Sequence, residues 1–355
     1  MRTGPLVGYY VHHQGRGHAH RALSIASAST LAITALSSGV RPQGWTGDWV
    51  SLPDDAGAHR DSDLDAGDRL HYVPLGHPGL RSRMAAVSSW IETHRPDLMV
   101  VDVSVEIALL ARLHGVGVVT MAMPGQRLDP AHRLGYDIST AITAPWPELA
   151  GPLWGGPPED LAKAVYLGAI SRFAPVSKPV DVSRTVVVLN GTGGAGPTPQ
   201  QVRQAADATP GWDWVHLDRD HGLWVDDPWP LLCSAAVVVS HAGQNAVAEI
   251  AAARRPAILI PQDRPHDEQR TLAEALTALD DSPALVRPSW PAAVYWPELL
   301  DRATRLDGVR WAVWNDGHGA ERAAAALAEL VGSSRASIGL VPATPPASDR
   351  LAASA

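Results

Sequence analysis

Hydrophobic residues in this chain gather in short continuous runs, separated by stretches that repeat with helical period. Runs such as LVGYYV at Leu6–Val11 and VVVL before Asn190 are apolar at consecutive positions. Strands covered on both faces have this character, whereas half-exposed strands alternate. The pattern predicts strands at Leu6–Val11, Leu31–Leu36, Arg69–Pro74, Asp97–Asp102, Gly117–Met121 and Val165–Ile170 in the first half. In the second half it predicts Thr185–Leu189, Trp212–Leu217, Ala235–Val239 and Ala257–Ile260. Between them lie predicted helices over His20–Ser29, Gly79–His94, Val105–His114, Thr198–Ala208 and Gln244–Arg254. Two more, Pro291–Leu306 and Ala320–Val331, close the fold. Strands that alternate with helices imply α/β architecture with parallel sheets and right-handed crossovers.

The 355 residues exceed one comfortable hydrophobic core, so two domains are expected. Ala174–Ser183 (APVSKPVDVS) has linker composition and divides the chain into 1–173 and 184–332. The Ala/Ser/Pro-rich remainder, 333–355, reads as a disordered tail. Residues 42–68 read as loop, and 122–158 carry no legible signature. The net charge of −8, from 29 Lys+Arg against 37 Asp+Glu, argues against a nucleic-acid partner or an anionic membrane surface. The single cysteine, Cys233, excludes an intrachain disulfide and reads as a packed thiol beside a strand. No apolar run reaches the ~18 residues of a membrane span, so stable membrane insertion is not expected. The first strand starts within a few residues of Met1, which sets the expectation of a cytoplasmic protein with no signal peptide.

Two regions carry candidate chemistry. Leu232–Gln269 is a strand, a small-residue turn (Ser240-His241-Ala242-Gly243), a helix and a second strand ending at Pro261. The free N–H groups and dipole of a helix start make a seat for phosphate. Asn245 and Glu249 share one face of that helix, and Asp267-Glu268-Gln269 follows the next strand, where α/β folds place their ligands. The other region is His12-His13-Gln14-Gly15-Arg16-Gly17-His18, after the first strand. Gly15-x-Gly17-x-x-His20 lacks the third glycine of the dinucleotide fingerprint, and no acid occurs between His18 and Gly47 to hold a ribose, so NAD and FAD are not expected. Asp102 ends a buried strand, where it could serve chemistry or cap the next helix.

His241-Ala242-Gly243-Gln244-Asn245, Glu249, Pro256, Ile258–Pro261 and Asp267-Glu268-Gln269 together resemble the donor-binding signature of GT-B nucleotide-sugar glycosyltransferases. The similarity is to the group holding the peptidoglycan N-acetylglucosaminyl transferase and the UDP-glycosyltransferases. Gln14–His18 resembles that group's Gly-His loop, and Asn190–Gly196 its second-domain glycine turn. Ala242, Arg255, Asn245 and Arg21 depart from the pattern, which has Gly, Gly, Thr or Ser, and Pro there.

The resemblance implies two Rossmann-like parallel-sheet domains facing a cleft, and a metal-independent inverting transfer of a sugar from a nucleotide diphosphate, UDP or TDP first, to a hydroxyl. It implies His18 as base with Asp102 fixing its tautomer, with His12, His13 and His20 as rival bases. Gly193, Gly194, Gly243, Gln244 and Asn245 would hold the diphosphate and Glu249 the ribose. Glu268 and Gln269 would meet the sugar, and Val225 would lie against the base. His241 is either a phosphate contact or a helix-start residue. No cofactor is expected beyond the nucleotide sugar as co-substrate, and no metal. The acceptor would be a small molecule or a lipid-linked hydroxyl compound, the latter allowing a peripheral membrane contact. An epimerase or hydrolase of the same fold, or a non-catalytic sugar-nucleotide binder, are the alternatives.

Overall fold

The computed structural model describes residues 4–57, 63–177, 182–191 and 196–339, with side chains to 334. Its strands are β1 (Leu6–Val11), β2 (Ala32–Ser37), β3 (Trp49–Ser51), β4 (Leu98–Asp102), β5 (Gly117–Met121), β6 (Ala141–Ala144), β7 (Ala164–Tyr166), β8 (Thr185–Leu189), β9 (Asp213–Leu217), β10 (Val237–Ser240), β11 (Ala257–Leu259) and β12 (Ala284–Val286). Its α-helices are α1 (Gly17–Ala28), α2 (Pro78–His94), α3 (Val105–Leu113), α4 (Pro130–Ile138), α5 (Pro158–Leu161), α6 (Pro199–Asp207), α7 (Trp229–Ser234), α8 (Gln244–Ala253), α9 (Glu268–Thr277), α10 (Trp296–Ala303) and α11 (Gly319–Gly339).

Two all-parallel sheets result. The first has seven strands in the order β3-β2-β1-β4-β5-β6-β7, the second five in the order β12-β11-β10-β8-β9. Continuous apolar strands are affordable here because each sheet is covered on both faces by separate buried clusters. In each sheet the strand order reverses once, between β1 and β4 and between β8 and β10. The register there sets Val11 beside Asp102 and Leu189 beside Ser240. The crevice outside strand ends at such reversals is where open α/β sheets bind ligands.

Several boundaries differ from the sequence reading. Arg69–Pro74 is not a strand; the edge strand β3 lies instead inside the stretch read as loop, pairing Ala35 with Trp49. An edge strand of three residues needs only its neighbour's free hydrogen-bonding edge, which leaves little pattern to read. Strand β6 and helix α4 lie in the stretch that carried no signature, and strand β12, at the other sheet's edge, was also missed. The tryptophans are largely packing residues: Trp146, Trp154, Trp296 and Trp311 are fully buried. The last helix runs to Gly339, past the point where a tail was expected to begin. It also leaves the second sheet's half of the chain: Ala323, Leu327 and Val331 pack with Val7, Tyr9 and Ala22 under the first sheet. Part of the linker, 178–181, lies outside the described residues.

Candidate active site

Helices α1 and α8 both begin without a side-chain cap and without an acid in the first turn. Each follows a strand at the point where its sheet's order reverses, so the carboxyl ends of β1 and β10 aim the two free helix starts into one cleft. Its walls include Gln14–His18, His20, Met123, Arg172, Asn190, Trp224, Val225, His241, Gly243–Asn245, Glu249, Arg264, Glu268 and Gln269, around a cavity of about 590 Å³. Free N–H groups and a positive helix end suit an anion.

His18 lies in the first turn of α1, not in a loop as the sequence suggested, and its Nδ1 sits 2.9 Å from Oδ1 of Asp102. Asp102 is fully buried at the end of β4. Ser104, not Asp102, caps α3, since its hydroxyl accepts the Ile107 N–H. That frees the Asp102 carboxylate for His18 and for Arg21, which donates from Nη2 at 2.7 Å and from Nε at 3.0 Å. Burial alone would raise the Asp102 pKa; the charge of Arg21, with His18 and their hydrogen bonds, outweighs it and holds the carboxyl well below its usual range. The carboxylate can only accept, so it fixes the proton of His18 on Nδ1 and leaves Nε2 with a free lone pair. Arg21 also reaches across the cleft, Nη1 to Oε1 of Gln244 at 3.4 Å, which ties the pair to the start of α8. The other amide atom of Gln244, Nε2, is buried with no partner among the described residues and offers a donor at the cleft.

The rival histidines have other surroundings. Burial, followed by the charges of His18 and His13, lowers His12 to about 4, where it stacks on His13. His20 is lowered to about 4 by burial and then by Arg172 and Arg16. No carboxylate hydrogen bond orients either one among the described residues.

On the opposite wall, His241 Nδ1 accepts the Gly243 N–H at 2.9 Å and so holds the turn into α8. Burial, then Arg264, lowers this histidine to about 4, so it is neutral and its proton sits on Nε2 as a donor into the cleft. A Cβ at Gly191 would lie 2.7 Å from that nitrogen, which is why the chain carries glycine there. Asn190 is pinned by its amide to Asp218. Gly193 and Gly194 lie outside the described residues. Gly243, Gln244 and Asn245 form the cap and first turn of α8.

Glu249 is buried, and its carboxylate accepts from Nε of Arg172 at 2.8 Å. The partner is thus a residue ahead of the linker and not Arg254 or Arg255, which bond to the carbonyls of Ala251 and Cys233. Burial raises the Glu249 pKa, and Arg172 offsets only part of that rise. Glu268 lies 3.5 Å from Arg127 across the cleft. Gln269 is buried and its Oε1 accepts the Gln262 N–H at 2.9 Å, so half of its amide is spent on shaping the loop. Val225 is half-buried on the cleft wall.

Sequence reasoning missed Arg21, Arg172, Arg264 and Trp224. Each reaches the site through a long or flat side chain from a position with no motif of its own. Only the departure from proline at position 21 offered a signal.

The comparisons with known proteins bear on the fold and on one stretch of the second half. Residues 225–282 match the model of the glycosyltransferase family 28 C-terminal domain. No curated protein matches the chain in sequence. Among solved structures, the spinosyn forosaminyltransferase SpnP is similar with a TM-score of 0.64 at 15% identity, over 93% of this chain and 100% of that one. The glycosyltransferase of kitacinnamycin gives 0.61 at 15% identity, over 96% and 100%. MurG of Acinetobacter baumannii gives 0.54 at 16% identity, over 93% and 99%. The chain therefore has the two-domain GT-B fold of glycosyltransferases, and residues 225–282 of its second half match the family 28 C-terminal domain.

Proposed function

We propose that this protein is an inverting glycosyltransferase that moves a sugar from a nucleoside diphosphate, UDP or TDP first, to a hydroxyl of a small-molecule or lipid-linked acceptor. The observation that carries the reading is the pairing of walls: His18 on Asp102 at one side of the cleft, and the uncapped start of α8 at the other. In the step proposed, Nε2 of His18 takes the acceptor proton as the acceptor oxygen attacks the anomeric carbon. The bond from that carbon to the β-phosphate oxygen breaks, and its electron pair leaves with the diphosphate. N–H groups of α8, with Gln244 Nε2 and His241 Nε2, receive the new negative charge without reorganising. Asp102 stabilises the imidazolium that forms, as carboxylates do for catalytic histidines. Backside attack inverts the anomeric centre. Helix N–H groups and arginine at the phosphates supply the charge that a metal supplies elsewhere, so the chemistry calls for no cofactor. Glu249 would hold the ribose and Val225 the base, with Glu268 and Gln269 toward the sugar. We place the reaction in the cytoplasm. Among the described residues no helix is long and apolar enough to cross a membrane.

The test begins with thermal shifts against UDP, TDP, GDP, ADP and NAD. A ligand at about 100 times its Kd adds ~2.7 kcal/mol of stability. A shift with UDP or TDP, followed by sugar transfer that His18→Ala abolishes with nucleotide affinity kept, is the expected outcome. A shift with NAD alone, or unchanged transfer by His18→Ala, overturns the reading.

A further inference from the structure

Beside the cleft, side chains from three separate stretches of chain turn toward one point. Nε2 of His71 lies 3.2 Å from Nδ1 of His132 and 3.3 Å from Oδ1 of Asp129. Nδ1 of His132 is 2.5 Å from Oδ2 of the same carboxylate, and Nδ1 of His266 is 3.9 Å from it. The three residues His71, Asp129 and His132 each offer a ligand atom, and these atoms lie within 4.8 Å of one another. Zinc bonds of 2.0–2.1 Å set neighbouring tetrahedral ligand atoms roughly 3.3 Å apart, which is the spacing of the His71 contacts. We propose that His71, Asp129 and His132 bind one divalent transition-metal ion, zinc by preference, with His266 of the opposite domain as fourth ligand.

The scaffold supports the assignment. Asp129 caps α4 by accepting the His132 N–H at 3.0 Å, which fixes both residues on one helical turn. The His71 backbone N–H donates to Glu106 at 2.7 Å. His266 and the following Asp267 both adopt left-handed backbone, φ 61° and 54°, although neither is glycine. That strained turn is latched to the first domain by the Gln126 N–H, which donates to the His266 carbonyl at 2.7 Å, and the His266 ring stands edge-on to that of His132. Three imidazoles and one carboxylate suit zinc, whereas magnesium and calcium want oxygen.

One contact opposes the ion and defines its consequence. Arg127 Nη1 sits 3.0 Å from Nε2 of His132, which accepts from it while Nδ1 carries the ring proton toward Asp129. An ion on Nδ1 displaces that proton and puts one on Nε2, where two donors would face each other. Binding therefore turns Arg127 away, toward Glu268, whose Oε2 is 3.5 Å from Nη2. The site thus couples metal occupancy to the Arg127–Glu268 pair and bridges the two domains. It supplies no step of sugar transfer.

The experiment uses the full chain, stripped with a chelator and titrated with zinc chloride at neutral pH by calorimetry. Cobalt chloride serves as a visible-absorption probe of tetrahedral ligation. One zinc per chain, a raised Tm and an intense cobalt spectrum are expected. His71→Ala, at a half-exposed position, should weaken zinc at least tenfold without unfolding the protein; Arg127→Gln should tighten it. His266→Ala should weaken it by a smaller factor and lower the zinc-dependent rise in Tm. Absence of a stoichiometric site in the wild type, or equal zinc affinity in His71→Ala and Asp129→Asn, overturns the proposal. Equal affinity in His266→Ala overturns the bridge between domains. None of these readouts depends on sugar transfer.

Discussion

A Cβ at Gly17 would stand 1.9 Å from Nδ2 of Asn245. The first turn of α1 and the first turn of α8 therefore meet across the cleft with no room for a side chain. Gly17→Ala should push the domains apart or force Asn245 out of place, lowering nucleotide affinity and costing about 1–3 kcal/mol of stability. Asn245→Ser in the same chain removes the clashing amide and should restore most of both. A double-mutant cycle by denaturant unfolding and calorimetry checks this; full additivity would separate the two residues.

Asp102→Asn keeps the shape of the β4 terminus but lets an amide N–H face His18. Transfer should fall on the order of 10²–10⁴-fold, with nucleotide affinity unchanged, if the carboxylate sets the tautomer. Initial rates beside binding titrations distinguish this from a folding defect.

The pH dependence of stability follows from the same carboxylate. Asp102 is held below its unfolded value, so it contributes stability in full above about pH 4 and loses it as pH falls toward the folded pKa. In Asp102→Asn that part of the acid dependence should vanish, and unfolding melts between pH 2 and pH 6, acquired for both chains, would register it.

Glu249 has the opposite shift. Its carboxyl is raised, so ionised Glu249 is lost earlier on acidification than a free glutamate would be. Nucleotide affinity should weaken as pH falls through that range. Glu249→Gln should cost about 1–3 kcal/mol of binding and remove the pH dependence. Arg172→Ala leaves the buried carboxylate unpaired and should raise its pKa further, moving the loss of affinity to higher pH. Calorimetric titrations at several pH values would detect a constant affinity, which would put the ribose elsewhere.

His12 and His20 are both lowered to about 4, so neither changes charge between pH 5 and 8. A limb of the kcat/KM profile in that interval should survive both His12→Gln and His20→Gln. A limb lost with His20 would transfer the role of base to it.

The apolar runs, the glycine turns and the order of elements determined the two parallel sheets, because a strand buried on both faces must be apolar along its length wherever the chain later goes. Leu6–Val11, Thr185–Leu189 and the unit from β10 to β11 were legible for that reason, and with them the local positions of Gly243–Asn245 and Glu249. Short edge strands such as β3 and β12 were not, since pairing with a sheet edge leaves little periodicity in three residues. The return of α11 to the first sheet was also hidden, because an amphipathic helix does not encode which core it covers. Partners far apart in the chain were decided by tertiary structure alone. Arg21 finds Asp102 81 residues away, Arg172 finds Glu249 77 away, and His71 meets His132 61 away. Local sequence fixes the backbone that carries each side chain, but only tertiary packing, and for Arg172 and Glu249 the closed approach of the two domains, sets which charges end up within hydrogen-bonding distance.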